Sequence, residues 1–202
     1  SRVSRGLGDV YKRQNFIASG DNLSTSNYEI RTFDTSAQTT DPRDITFSND
    51  GKKVFTVEQG TKSVFEYILS TPYNISTATF VQSLSVSGQS SKPFKVKFNT
   101  NGSKMFIAGR TERKVFEYSL STNFDISSAS VTYTGNFINV SSQLGTEKLN
   151  GLTFSPDGKI MIITEQGFGL HQYSLNKSFD LSGGANFILS LIHISEPTRH
   201  TR

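Results

Sequence analysis

The chain has 202 residues, with 21 Lys and Arg residues against 17 Asp and Glu residues, so its formal net charge is +4. It contains no cysteine, which excludes a disulfide framework, a thiolate metal site and a cysteine nucleophile. No apolar run has the length of a helical membrane span. A chain of this length is expected to be one domain or part of one.

The first and last fourteen residues, 1–14 and 189–202, can be translated from one DNA segment and its reverse complement. If CAG encodes Gln14, for example, the complementary codon CTG encodes Leu189, and the correspondence continues through both segments. An unbroken series of paired codons does not arise by protein evolution. The segments resemble the translated transposase adapter used to prepare sequencing libraries. We therefore expect both to be artefacts that take no part in the fold, and the genuine sequence to be cut at both ends.

Setting these two segments aside changes the electrostatic interpretation. They hold six of the 21 basic residues and two of the 17 acidic residues, which leaves 15 of each in residues 15–188. A basic chain would suggest a nucleic-acid partner, whereas a neutral one favours none. Two of the three histidines also lie in these segments, and His171 is the one that remains.

The genuine sequence is a series of repeats. Near its start, the segment NLSTSNYEIRTF at 22–33 matches the tail of a repeat. Three full copies follow, at 44–80, 95–131 and 151–187. The equivalent glycines are spaced by 51 and then 56 residues: Gly51, Gly102 and Gly158.

Each repeat predicts four β-strands, named a to d in chain order. Strand a alternates apolar and polar residues, as in Ile45 and Phe47, and ends at a turn whose glycine can adopt the positive φ of a tight hairpin. Strand b is an unbroken apolar run, such as MFIA at 105–108, which indicates burial on both faces. Strand c carries alternating aromatic residues, and strand d is rich in threonine and aromatic residues. A loop of the form Ser-Thr-x-aromatic-Asx-Ile-Ser joins strands c and d.

These features predict an all-β chain that forms a partial β-propeller, an open arc of about three four-stranded antiparallel blades. The expected boundaries are a blade remnant at 15–34 and blades at about 43–86, 94–137 and 150–188. Closed propellers have about four to eight blades. We therefore expect the outward faces of the first and last blades to be exposed, and to promote association through these faces.

The a–b turns carry a resemblance to known propellers. The sequences FSNDGK, FNTNGSK and FSPDGK resemble bacterial propellers of the YVTN or lactonase-like type. The loop LST-aromatic-Asx-IS is similar to propeller repeats of marine bacteria and of phage structural proteins. The resemblance covers residues 22–188 and implies the fold, but it implies little about activity, because this fold hosts many functions.

Few residues could carry chemistry. His171 takes the place of Phe65 and Phe116 in strand c, and we expect it to pack within a blade face in the middle of the strand. Ser-His-Asp catalysis would instead require it at a loop end. The Asp-Gly turns lack the alternating acidic ligands of a calcium loop. The sequence therefore predicts no catalytic residue, no metal and no cofactor.

A binding site is predicted from strand direction. In antiparallel blades the a–b and c–d loops emerge at one end, the hairpin face, and the b–c and d–a loops at the other, the loop face. The hairpin face repeats nearly the same loops in every copy, which suits a structural role. The loops of the loop face differ in length and charge, and function on a rigid scaffold usually lies in such loops. The candidate binding residues on the loop face are Glu58, Gln59, Arg110, Glu112, Lys148, Glu165 and Gln166.

The function expected first is a non-enzymatic binding or scaffold propeller with a protein or glycan partner. A cell-surface or phage structural protein, at the cell exterior or on the virion surface, would be its setting. The alternative is a part of a lactonase-like or other hydrolytic propeller enzyme whose catalytic residues lie partly in other blades. Acidic, histidine or arginine residues at several inner strand ends of the full-length protein would favour the enzyme.

Overall fold

The computed structural model describes residues 17–18, 21–22, 31–167 and 169–188. The two segments interpreted as artefacts, and most of the blade remnant, lie outside these residues. The chain divides into two compact units, residues 1–32 and 33–202. In the first unit β1 (Ile17–Ala18) and β2 (Asp21–Asn22) form an antiparallel pair. In the described part of the chain, no helix is both long and apolar enough to cross a membrane.

The second unit contains three four-stranded antiparallel sheets, each with its strands side by side in chain order. The first sheet consists of β3 (Pro42–Phe47), β4 (Lys53–Glu58), β5 (Ser63–Leu69) and β6 (Ala78–Ser85). The second consists of β7 (Pro93–Phe98), β8 (Lys104–Gly109), β9 (Lys114–Leu120) and β10 (Val131–Asn139). The third consists of β11 (Leu149–Phe154), β12 (Ile160–Glu165), β13 (Leu170–Lys177) and β14 (Asp180–Ile188). The predicted class, an all-β partial propeller, is confirmed.

Among the described residues, two short helical turns lie between the strands. A 3₁₀ turn, Ile75–Thr77, lies in the c–d loop of the first sheet, and Asn74 caps it by accepting a hydrogen bond from the Ser76 N–H with its side chain. The helix α1 (Ser141–Leu144) lies in the d–a connection before the third sheet.

The core lies between neighbouring sheets, because successive side chains of each strand b point to opposite sides of their sheet. In β4, Phe55 and Val57 pack against residues of the second sheet, whereas Val54 packs on the opposite side of its own sheet. In β8, Phe106 packs in the same way toward the third sheet. This stacking explains why the b strands are apolar without interruption.

A buried glutamate joins the first sheet to the second. Glu66, in β5, is 1% exposed, and it accepts a hydrogen bond of 3.3 Å from the backbone N–H of Ile126, in the c–d loop of the second sheet. Its charge is balanced by Lys53, 2.7 Å away, and Gln82 donates to its carboxylate at 2.7 Å.

The same connection joins the second sheet to the third. Glu117 accepts a hydrogen bond of 2.7 Å from the Leu181 N–H and forms an ion pair of 3.2 Å with Lys104. In the third sheet the equivalent positions hold Gln172, which is exposed, and Ile160. The Lys–Glu pair, with its hydrogen bond to a backbone N–H of the next sheet, is called the clamp. It is present in the first and second sheets, and the third sheet has neutral residues at both positions.

The two ends of the stack differ in exposure. Leu170 of β13 is 73% exposed, whereas the equivalent Val64 and Val115 are fully buried beneath the next sheet. In the first sheet Tyr67 is 1% exposed, and Phe33 packs edge-on against it with ring centroids 5.3 Å apart. Exposure was expected at both ends. It is clear at Leu170 in the third sheet, and in the first sheet Ile45 is 52% exposed although Tyr67 is covered.

Candidate functional site

The b–c and d–a connections meet at one end of the sheets, which forms the loop face. In the second sheet the Arg110 N–H donates to the Lys92 carbonyl at 2.9 Å, and in the third the Gln166 N–H donates to the Lys148 carbonyl at 2.8 Å. Each bond ties a b–c loop to the d–a loop that precedes its own sheet. The loop face is therefore a hydrogen-bonded layer.

The d–a connections share a turn that their different lengths conceal. In each turn, one backbone carbonyl accepts two hydrogen bonds, from the N–H groups of the third and the fourth residue that follow it. The accepting carbonyls belong to Thr35, Val86 and Val140. The third residue is a glutamine in every case: Gln38, Gln89 and Gln143. The recurring Ser-x-Gln at 36–38, 87–89 and 141–143 is a sequence signal that could have revealed this turn.

Two of these glutamines hold the buried tyrosines of strand c. The Tyr118 hydroxyl donates to Gln89 Oε1 at 3.0 Å, and the Tyr173 hydroxyl donates to Gln143 Oε1 at 3.0 Å. Burial raises the pKa of Tyr173 to about 12 and also raises the pKa of Tyr118. Both hydroxyls therefore remain protonated donors at neutral pH, and they fix the d–a loops to the sheets.

Glu58 braces the loop face in the first sheet. It is 2% exposed and accepts hydrogen bonds from the Thr40 N–H at 3.1 Å and the Thr61 N–H at 3.3 Å. Burial raises the pKa of this carboxyl, but the hydrogen bonds from Thr61, Thr40 and Thr39 outweigh burial and hold the pKa below its usual value. The carboxylate oxygens therefore already accept hydrogen bonds from the loops around them.

Glu112 supplies the corresponding carboxylate in the second sheet from a different backbone position. Gly109 takes the place of Glu58 there, and a Cβ on it would lie 2.6 Å from Glu112 Oε2. Glu112 accepts from the Ser91 N–H at 2.9 Å and from the Ser90 hydroxyl at 2.9 Å. Burial raises its pKa, but the hydrogen bonds from Ser91 outweigh this and lower the pKa overall.

In the third sheet the equivalent carboxylate, Glu165, faces the histidine. His171 is the second residue of β13, next to the b–c loop, rather than in the middle of the strand as the sequence suggested. Its Nε2 lies 3.3 Å from Glu165 Oε2, and its ring centroid is 6.0 Å from that of Phe187. The structure thus brings a candidate carboxylate and the one described histidine together at the loop face.

The remaining candidate residues surround this layer. Arg110 Nη2 donates to Gln166 Oε1 at 2.7 Å and so connects the b–c loops of the second and third sheets. The side chain of Lys148 is exposed. Gln59 is half-buried, and its Oε1 is buried without a hydrogen-bond partner among the described residues.

The hairpin face contains a groove that was not predicted. The groove has a volume of about 270 Å³ and is lined by the inner strands and their turns. Equivalent positions of the three a strands contribute Thr46, Lys97 and Thr153, and the c–d loops contribute Phe124 and Phe179. Among the residues that the structure describes, no group of three or more His, Cys, Asp or Glu side chains could hold a metal ion.

Comparisons with known proteins show the fold and no more. No protein family and no curated protein matches this sequence. A protein from Lactobacillus plantarum has a similar structure, with a TM-score of 0.55 and 15% identity over 73% of this chain and 40% of that one. A periplasmic gluconolactonase from Pseudomonas aeruginosa has a TM-score of 0.45 at 17% identity, over 72% and 39% of the two chains. A β-propeller domain from Myceliophteria thermophila has a TM-score of 0.48 at 9% identity, over 73% and 42%.

This chain therefore spans less than half the length of each of these proteins. The likeness to the Lactobacillus protein shows a shared fold, and a gluconolactonase and a β-propeller domain are among the other structural neighbours. At such low identity none of these activities carries over to this chain.

Proposed function

We propose that the chain belongs to a propeller that binds a protein or glycan partner through the loop face, without enzymatic activity. The observation that carries this proposal is the bracing of the face by Glu58 and Glu112, which accept hydrogen bonds from the d–a loops. Loops that are already ordered lose little conformational entropy when a partner binds. The side chains of Lys148 and Gln166 are exposed on these loops, and Gln166 also accepts a hydrogen bond from Arg110.

The test measures retention of the 202-residue chain on surfaces coated with mucin, peptidoglycan or lipopolysaccharide. On the surface that retains the wild type, Lys148→Ala and Gln166→Ala should each weaken binding by about fivefold or more, the effect of one substantial interface contact. The melting temperature should change by no more than about 2 °C, because both side chains are exposed.

Lys159→Ala is the matched control, since Lys159 is an exposed lysine in the a–b turn of the third sheet. Retention should be unaffected by this substitution. If the control or Phe124→Ala abolished retention and the loop variants did not, the binding surface would be the hairpin face. If none of the three surfaces retained the wild type, the proposed partner classes would be rejected.

A hydrolytic propeller of the lactonase-like type is the second candidate, and the Glu165–His171 pair favours it. An imidazole oriented by a carboxylate 3.3 Å away can act as a general base toward water. The chain should then accelerate the hydrolysis of a simple aldonolactone, followed as proton release. His171→Asn should abolish the acceleration, and Gln172→Ala, an exposed neighbour in the same strand, should preserve it. Hydrolysis no faster than in buffer would reject the enzyme.

A further inference from the structure

Cationic side chains gather around one aromatic ring on the loop face. Phe94 is the second residue of β7, and the guanidinium carbon of Arg110 lies 4.6 Å from the centroid of its ring. The Lys95 ammonium lies 5.2 Å from the same centroid, and the Arg43 guanidinium carbon lies 5.7 Å from it. These four residues are called the Phe94 cluster. They come from the first and second sheets and from a b–c loop.

The carboxylates beside the cluster neutralise only part of its charge. Asp41 pairs with Arg43. Asp44 is shared between Lys95, at 3.5 Å, and the neighbouring Lys97, at 3.0 Å. Two anions therefore face four cations when Arg110 is included.

Arg110 is the cation that these carboxylates leave unpaired. In the described part of the chain no carboxylate lies within 4.0 Å of its guanidinium, and its side-chain hydrogen bond goes to the neutral Gln166. Its Nε–H is buried without a hydrogen-bond partner among the described residues. The Nε–H of Arg43 is in the same state. Buried donors without acceptors are costly. A bound ligand could supply the acceptors that these two Nε–H groups lack.

We propose that the Phe94 cluster binds an oxyanion group, a carboxylate or a phosphate, carried by the ligand of the loop face. A guanidinium presents parallel N–H donors that match the oxygens of either group. Phe94 holds the cations close together through cation–π attraction, which keeps them poised for an anion. This proposal rests on the proposed function, because it assigns a ligand chemistry to the same face.

The experiment titrates the 202-residue chain with succinate and, separately, with inorganic phosphate, at an ionic strength matched with NaCl. Binding of at least one anion should saturate with a Kd on the order of 1 mM, as observed by calorimetry or amide chemical shifts. Whichever anion binds more tightly identifies the group. Arg110→Gln should weaken that binding at least about tenfold, since it removes the unpaired charge.

A second variant gives a result that a purely structural role would not. Asp41→Asn removes the carboxylate that competes for Arg43 and should strengthen anion binding severalfold. Lys159→Gln, in an exposed turn on the hairpin face, should leave binding unchanged. The proposal is overturned if neither anion saturates, if Lys159→Gln weakens binding as much as Arg110→Gln, or if Asp41→Asn has no effect.

These outcomes are separable from those of the retention test. If Lys148→Ala and Gln166→Ala abolish retention while neither anion binds, the proposed function stands and the oxyanion site fails. If an anion binds at Arg110 while substitutions in the loop face leave retention unchanged, the oxyanion site stands and the proposed function fails.

Discussion

At the scale of single residues, the turn glycine and the loop aromatic of each repeat form one unit. Phe124 has a φ of 54° and Gly102 a φ of 75°, and both are therefore left-handed. The Phe124 N–H donates to the Gly102 carbonyl at 2.9 Å, and the phenyl ring fills the space that a Cβ on the glycine would occupy. The glycine is thus required twice, for its backbone angle and for its lack of a side chain.

This double requirement predicts a stability difference between two glycines. Gly102→Ala introduces a methyl group that overlaps the Phe124 ring and should lower the free energy of unfolding by about 3 kcal/mol or more, through backbone strain and overpacking. Gly135 has a φ of 84° but open space around it, so Gly135→Ala should cost only about 1–2 kcal/mol of strain. Urea denaturation would compare them, and equal losses would show that the ring yields to the methyl group.

At the scale of elements, neighbouring sheets are joined by polar bonds as well as by the apolar core. Glu117 and Glu66 each reach from a strand c to a backbone N–H of the next sheet. Such an N–H, buried between sheets, would lose its acceptor if the carboxylate were removed. The clamps therefore favour one alignment of the sheets, which apolar contacts alone define less sharply.

Removal of a clamp should be far more costly than the equivalent change in the third sheet. Glu117→Ala leaves Lys104 and the Leu181 N–H without their buried acceptor, and we expect a loss of about 3–5 kcal/mol in the free energy of unfolding. Gln172→Ala at the equivalent exposed position should change it by no more than about 0.5 kcal/mol. Urea titrations of both variants test this, and similar losses would mean that the clamp contributes nothing specific.

At the scale of the whole molecule, the third sheet exposes a surface that the others bury. Leu170 is 73% exposed on the face that would adjoin a following sheet, and Ile188 is 39% exposed. In the first sheet Ile45 is 52% exposed, whereas the equivalent Val96 is fully buried. Apolar surfaces of this kind are typical of association sites.

We expect the 202-residue chain to self-associate through the third sheet. Leu170→Glu places a charge on the exposed apolar surface, at the loop-face end of β13, and should shift the chain toward the monomer, as measured by sedimentation velocity across a range of concentrations. Lys177→Glu, a change at an exposed residue at the other end of the same strand, should not. A wild type that stays monomeric at high concentration would show that this surface does not drive association.

Much of the fold was predictable because the repeat presents the same local pattern three times. Alternation in strand a, the apolar run of strand b and the turn glycines each indicate the same hairpins. The Ser-x-Gln turn was not predicted, because the surrounding loops differ in length. The recurrence of Gln38, Gln89 and Gln143 two residues after a serine nevertheless indicates it. His171 was misplaced within its strand because a single sequence defines strand ends poorly.

The amino-acid sequence by itself determined the strands, their hairpins and the partial propeller, since these depend on local periodicity and on residues that tolerate positive φ. Only the tertiary structure decided how the loop face is built. Gly109 and Glu112 show why: the second sheet keeps a carboxylate where the first has Glu58, but it supplies that carboxylate from three residues further along the chain. A side chain several bonds long can reach one point from different backbone positions. Sequence register therefore cannot locate its functional atoms, whereas three-dimensional packing can.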